Sequence, residues 1–313
     1  MLTLLENGSQ VDQLGVLTPY SNPMFVLSAD GSGGSEILVF TGNDLVVPPN
    51  TNLSLAGGGY TVNLGANSVL SLLGGSGNLI SAGTGDQIGT MANTSFELAG
   101  SNDTVYLGAN SVLTLLGGSG NLVSAGTGDQ IGTMANTSFE LAGSNDTVYL
   151  GVNSVLSLLG GSGYVVDAGT GDQIGTMANT SFELAGNDDT VYLGANSVLS
   201  LLGGSGNLVS VGTGEQIGTQ ANTSFELAGG GATVYLGAHS DLTLFGGSGA
   251  GADTVVGFSE GSTFLSFPGE NATNEASVVA SAQLVSGNTV LTLPDQTSVV
   301  LAGVTHVDMG IFA

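Results

Sequence analysis

The sequence predicts an all-β protein, a parallel β-solenoid of the β-roll or β-helix type closed by a C-terminal β cap. Three observations predict it. The segment GTGDQIGTMANTSFELAGSNDTVYLGANSVLTLLGGSGNLVSA begins at Gly83 and returns almost unchanged 43 residues later at Gly126, with further copies from Gly169 and Gly212. Within a copy, short runs of alternating apolar and polar residues are separated by Gly, Asn, Asp and Ser, which is the pattern of half-buried strands and turns. The inward anchors, Phe96, Val105, Leu113, Val123, Ile131 and Phe139, stand eight to ten residues apart. That is too short for ordinary helices and suits coils that bury their apolar side only by stacking on one another.

Residues 1–34, with Pro19, Pro23 and the glycine-rich run at Gly31–Gly34, read as an N-terminal lead-in or cap. The strand pattern begins at Ser35–Phe40, a worn copy follows to about Ala82, and the array runs to Phe258. The solenoid is thus expected over 35–258 as five repeats of 43 residues, the first degenerate. Each copy supplies five strand candidates: SFELAG, DTVYLG, SVLTLLG, NLVSAG and DQIGT. Alternation points Phe96 and Leu98 opposite to Glu97, and Val105 and Leu107 opposite to Thr104 and Tyr106. Half-turns of this length make a coil of about 17 residues with two strands, a flattened two-sheet roll. Five half-turns is an odd number, so each repeat would start on the sheet opposite the last. A rounder β-helix with two coils of about 21 residues per repeat fits the same spacing, and both arrangements stay open. Parallel crossovers predict a right-handed coil. At about 4.8 Å per coil the rod would be roughly 50–60 Å long. Residues 259–313 do not repeat; strands at NTVLTL and TSVVLAGV predict the cap.

Composition narrows function. The chain has 25 Asp and Glu, two His, and no Lys, Arg, Cys or Trp, giving a formal net charge of -25. Nucleic acid and anionic membrane surfaces are excluded as partners, since nothing neutralises phosphate. Disulfides and thiolate-held clusters are excluded too. The start lacks the basic and apolar segments of a conventional signal peptide, and no run of 18 apolar residues predicts a membrane span. Self-repulsion at this charge calls for counter-ions. No HExxH, GxSxG or P-loop lysine is present, and His239 and His306 stand 67 residues apart without a partner cluster. Glu97, Glu140, Glu183 and Glu226 recur at one repeat position, which suits a solvated face better than a unique catalytic pair. The chain is not expected to be an enzyme.

The turns carry recurring acids and amides. One series is Asp86, Asp129, Asp172 and Glu215; a second is Asp103, Asp146 and Asp189, ending in Ala232; a third is Asn78, Asn121 and Asn207, broken by Tyr164. Asp253 stands in a related position downstream. The pattern Gly-x-Gly/Asn-Asn/Asp-x-apolar resembles the hemolysin-type calcium-binding repeat of RTX proteins, although the strict GGxGxD run does not occur in tandem. The resemblance implies Ca²⁺ held between adjacent coils at Asp86, Asp103, Asn121, Asp129, Asp146, Asp172, Asp189, Glu215 and Asp253. The other reading is that these residues close turns by accepting from nearby backbone N–H groups, as the series Asn93/Asn136/Asn179/Asn222 and Asn110/Asn153/Asn196 do. The segment Gly249–Phe267 resembles the one that closes RTX arrays ahead of the secretion region, and Asn288–Phe312 is similar to the C-terminal ends of type I secretion substrates, which implies an uncleaved export signal and a secreted, extracellular or cell-surface protein.

Outward-pointing Tyr106, Tyr149, Tyr192 and Tyr235, with Leu116, Leu159, Leu202, Leu122 and Leu208, are expected to form apolar stripes that mark a contact surface. The functional expectation is a secreted, non-catalytic structural protein whose calcium-assisted solenoid assembles, laterally or end to end, into a surface layer, matrix or filament. The alternative is an adhesin-type module that binds cell-surface polysaccharide or another extended surface such as ice.

Overall fold

The computed structural model describes the strands at 2–6, 9–14, 24–29 and 35–40, then residues 42–246 and 251–312. Pro19, Pro23 and the run Gly31–Gly34 lie outside the described residues.

Strands of the array alternate between two sheets, one of thirteen strands and one of sixteen. In one copy, Thr94–Ser101, Val112–Leu115 and Gln130–Thr133 join the sixteen-stranded sheet, while Thr104–Tyr106 and Asn121–Thr127 join the thirteen-stranded one. Neighbours in each sheet are parallel: Phe96 pairs with Leu113, Leu113 with Ile131 and Ile131 with Val148. These registers set a coil of 17 or 18 residues with two strands, as the inter-coil hydrogen bonds repeat. The flattened roll is therefore the arrangement adopted, and the 21-residue coil is not.

The odd number of half-turns has the expected consequence. Phe96 and Phe182 lie in the sixteen-stranded sheet, and Phe139 and Phe225 in the thirteen-stranded sheet. Consecutive copies are thus related by a half-rotation about the rod and an advance of two and a half coils. Copies 86 residues apart share a face, which is seen in the matched registers of Phe96 with Leu113 and Phe182 with Leu199. This corrects the expectation of Tyr stripes. Tyr106 and Tyr192 stand on one face, Tyr149 and Tyr235 on the other, and Leu116, Leu122, Leu159, Leu202 and Leu208 are only partly exposed.

The core is the thin space between the sheets. Val105, Leu113, Val123 and Ile131 are fully buried, and Phe96 and Phe139 nearly so. Inward residues stack in columns such as Leu70, Ile88, Val105, Val123 and Leu141. One coil supplies too few such contacts to fold alone; the column gains by repetition.

One local rule recurs along the array. A residue with left-handed φ is followed by a buried small polar residue, then an outward residue, then an inward apolar one. Gly85-Asp86-Gln87-Ile88, Asn93-Thr94-Ser95-Phe96, Asn102-Asp103-Thr104-Val105 and Asn110-Ser111-Val112-Leu113 are four consecutive instances, with φ of 75°, 59°, 58° and 58° at the first position. Gly and Asn tolerate this conformation at least cost, so the recurrent Asn residues do close turns. His239 takes the same slot with φ 57°.

The ends differ from the array. Ser35–Phe40, placed by its pattern at the head of the solenoid, pairs antiparallel with Met24–Ala29, and the first parallel strand is Asp44–Val47. At the other end Asp253–Val256 still stacks on the array, and Ser298–Leu301 pairs with it in parallel. Asn288–Thr292 and Gln283–Val285 then continue the sheet antiparallel. Phe264–Ser266 ends the thirteen-stranded sheet; Leu265 bridges Phe312, whose ring meets Phe267 edge-on at 5.6 Å. Switching direction and shortening the last strand blunts an edge that would otherwise template further stacking. A helix, Ala272–Ala280, was not expected; Asn271 caps it and Val278 is its buried contact.

Candidate functional site

All nine acids and amides singled out in the turns are buried, none exposed by more than 2%. They belong to one motif, a polar ladder at the corners of the roll. At these corners the backbone N–H of the residue just before the strand points along the rod toward the next coil. A side-chain oxygen from that coil accepts it. Ser68 N–H donates to Asp86 Oδ1 at 2.7 Å, Asp86 N–H to Asp103 Oδ1 at 3.0 Å, and Asp103 N–H to Asn121 Oδ1 at 3.0 Å. Asn121 then donates its amide to the Gly100 carbonyl at 3.2 Å. A second ladder runs Thr94, Ser111, Asp129, Asp146, and a third Thr137, Ser154, Asp172, Asp189, Asn207. Each ladder reads Thr-Ser-Asp-Asp-Asn along the rod where complete. The Thr and Ser members were missed in the sequence; the signal was their position two residues before each inward anchor.

The two Asp rungs form a buried dyad in adjacent coils: Asp86 with Asp103, Asp129 with Asp146, Asp172 with Asp189. Asp172 Oδ2 takes the Gly169 N–H at 2.8 Å. The Oδ2 atoms of Asp86, Asp103, Asp129, Asp146 and Asp189 have no well-formed hydrogen bond. The Oδ2 of Asp103 lies against the Cα of Gly100, where a Cβ would collide with it, and Asp146 and Asp189 lie likewise against Gly143 and Gly186. Burial pushes Asp103, Asp146 and Asp189 up to about 6; the backbone N–H groups oppose the shift, and the second carboxylate of each dyad adds to it. Burial raises Asp86, Asp129 and Asp172 as well, against the N–H groups they accept.

Departures from the ladder are instructive. Glu215 replaces an Asp, and both its carboxylate oxygens are left without a hydrogen bond while Ser197 N–H turns to the Gly194 carbonyl. One extra methylene carries the carboxylate past its rung. Tyr164 replaces an Asn; its hydroxyl lies 2.5 Å from the Gly143 carbonyl and 2.8 Å from that of Gly160, so it serves the carbonyl the Asn amide serves elsewhere. Ala232 has no acid to offer, but its N–H finds Asp253 Oδ1 at 3.1 Å.

The buried set does not fit Ca²⁺. Such an ion needs six to eight oxygens. The Oδ1 atoms of each dyad are already engaged by backbone N–H donors, and the Oδ2 atoms of Asp103, Asp146 and Asp189 are pressed against glycine Cα atoms. Among the described residues no three His, Asp or Glu side chains gather around one point.

On the outer faces, Glu97, Glu140 and Glu183 are exposed. Shallow open depressions of about 280 and 230 Å³ flank Glu97 and Glu183, lined by Ser95, Val112 and Thr114 and by Ser181, Val198 and Ser200 respectively. They are one feature repeated two copies apart.

Compared with protein-family models, curated proteins and solved structures, the chain finds no match.

Proposed function

We propose that this chain is a secreted, non-catalytic structural protein, a stiff acidic rod that builds an extracellular layer, matrix or filament from copies of itself. The observation that carries this reading is repetition of the polar constellations of the array. The ladder acids recur at successive corners and are spent on holding coil to coil, and the exposed chemistry recurs on both faces. A fold of stacked coils is suited to length, stiffness and lateral contact. Export by a type I route, inferred from the resemblance of the tail, belongs to the same reading.

Calcium is proposed as the counter-ion that lets copies approach, since a chain of net charge -25 without Lys or Arg repels its own kind. Exposed carboxylates would receive it, among them Glu97, Glu140, Glu183 and Asp167. Sedimentation and negative-stain microscopy at neutral pH test this. Ordered assemblies are expected with millimolar Ca²⁺ and monomeric rods with chelator; a monomer under both conditions contradicts it. The repeated depressions beside Glu97 and Glu183 favour a second reading, a module that lies along a cell-surface polysaccharide. Retention of a monomeric rod on immobilised glycan would select that reading.

A further inference from the structure

The outer faces carry a row that the ladder and the core do not explain. In the sixteen-stranded sheet, Glu97, Thr114, Gly132 and Tyr149 are register partners in four successive strands. Glu183, Ser200, Gly218 and Tyr235 repeat the row further along. In the thirteen-stranded sheet the rows are Glu140, Ser157, Gly175, Tyr192 and, shortened, Ser71, Gly89, Tyr106. Each Tyr is about half exposed, between 46% and 52%. Beside it, each Gly has no atom within 4 Å of where a Cβ would stand. None of these four glycines has a positive φ. The fold therefore does not require glycine there, and a strand glycine is costly. An open glycine in a strand suits close approach by another molecule. Every row is thus a knob next to a notch.

We propose that two copies of this chain pair face to face with their rods antiparallel, each Tyr entering the notch beside the other copy's Tyr. The inference rests on the self-assembly reading above and gives it a geometry. A two-fold axis lying in the interface, across the rods, reverses the order of Tyr and Gly along the rod, so knob meets notch at both sites. Parallel rods would set Tyr against Tyr. On the sixteen-stranded face, Tyr149 of one copy meets Gly218 of the other, and Gly132 meets Tyr235. The strand Ser181–Asn187 is midway between these sites, with one strand between it and Thr147–Tyr149 and one between it and Gln216–Thr219 in the sheet order. The two-fold therefore passes over Glu183, and the Glu183 carboxylates of the two copies face each other. On the other face, Ser138–Ser144 is the midpoint and Glu140 takes that place. A divalent cation between the paired carboxylates removes the repulsion.

The area is adequate. Thirteen strands at about 4.8 Å by four residues at about 3.3 Å give roughly 820 Å² per copy, close to the about 800 Å² per partner of a stable interface. Because the half-rotation between copies puts the same features on both faces, pairing through one face leaves the other free. Two isologous faces on opposite sides generate an open lateral layer instead of a closed dimer.

The experiment uses the full chain in Ca²⁺, followed by sedimentation velocity, with circular dichroism to confirm folding. The wild type should form extended assemblies. Gly132→Val with Gly218→Val should stop at dimers, as should Gly89→Val with Gly175→Val, and the four together should be monomeric with unchanged dichroism. Should valine disturb a strand, Tyr106→Ser, Tyr149→Ser, Tyr192→Ser and Tyr235→Ser together give the same monomer from the knob side. Glu140→Gln with Glu183→Gln should lower the Ca²⁺ needed for assembly at least tenfold. A folded quadruple variant that still assembles like the wild type overturns this pairing and leaves self-assembly standing. A wild type that stays monomeric overturns both.

Discussion

Asp103 shows how much one side chain does in this fold. Its Oδ1 holds the Asp86 N–H of the neighbouring coil, its own N–H is held by Asn121, and its Oδ2 occupies the space that Gly100 leaves. Burial without a counter-charge raises Asp103, Asp146, Asp189 and also Asp253 to about 6, from an ordinary 3.8. The folded chain thus binds these protons more tightly than the unfolded chain. The stability this supplies is fully present below about pH 4 and is lost as pH rises through about 6. Melting should therefore occur at higher temperature at pH 4.5 than at pH 7.5. Asp103→Asn, Asp146→Asn and Asp189→Asn together should raise the melting temperature at pH 7.5 and flatten the profile. A melting temperature that climbs from pH 4.5 to 7.5 is the contrary result. Glu215→Asp should restore the missing rung to Ser197 and stabilise by about 1 kcal/mol in denaturant unfolding; no gain would mean the rung is set by the backbone alone. These positions were legible in the sequence because they recur. Their role was not, since an Asp after a left-handed turn residue is equally a metal ligand or an N–H acceptor until the direction of its carboxylate is known.

The half-turn is the element from which the rod is made. Its first position demands left-handed φ, as at Asn110 with φ 58°. Asn110→Gly should change stability by less than about 0.5 kcal/mol, whereas Asn110→Val should cost about 1–3 kcal/mol. Equal effects of the two substitutions in urea unfolding would show that this conformation is not required. The strands were legible from period-two alternation at Phe96, Leu98, Val105 and Leu107, all buried as read. The strand Ser35–Phe40 misled because alternation is the same in parallel and antiparallel pairing. Helix Ala272–Ala280 escaped because it buries only Val278 and has no apolar stripe to read; its one sequence signal was the capping Asn271.

At the scale of the molecule, the odd count of half-turns decides the most. Identical copies land on alternate faces, so the rod carries the same chemistry on two sides, and a stripe read along the sequence becomes two interleaved sets of Tyr in space. Deleting one copy, residues 126–168, joins Ala125 to Gly169, the same junction that Ala168 makes now. The shortened chain should fold, with the C-terminal cap turned by a half-rotation and the rod shorter by roughly 12 Å at about 4.8 Å per coil. Solution scattering should report that length; a collapsed or unfolded product would show that the copies are not interchangeable. The stacking itself is open to a distance measurement, since the chain has no cysteine to interfere. Val112→Cys with Val198→Cys places spin labels at half-exposed positions 86 residues apart on one face, five coils along the sheet. Electron–electron double resonance on the monomeric rod should give a narrow distribution centred near roughly 24 Å, adjusted for the label arms. A broad distribution, or a separation beyond about 40 Å as in chains of separate globules, would contradict coils lying in register on one another.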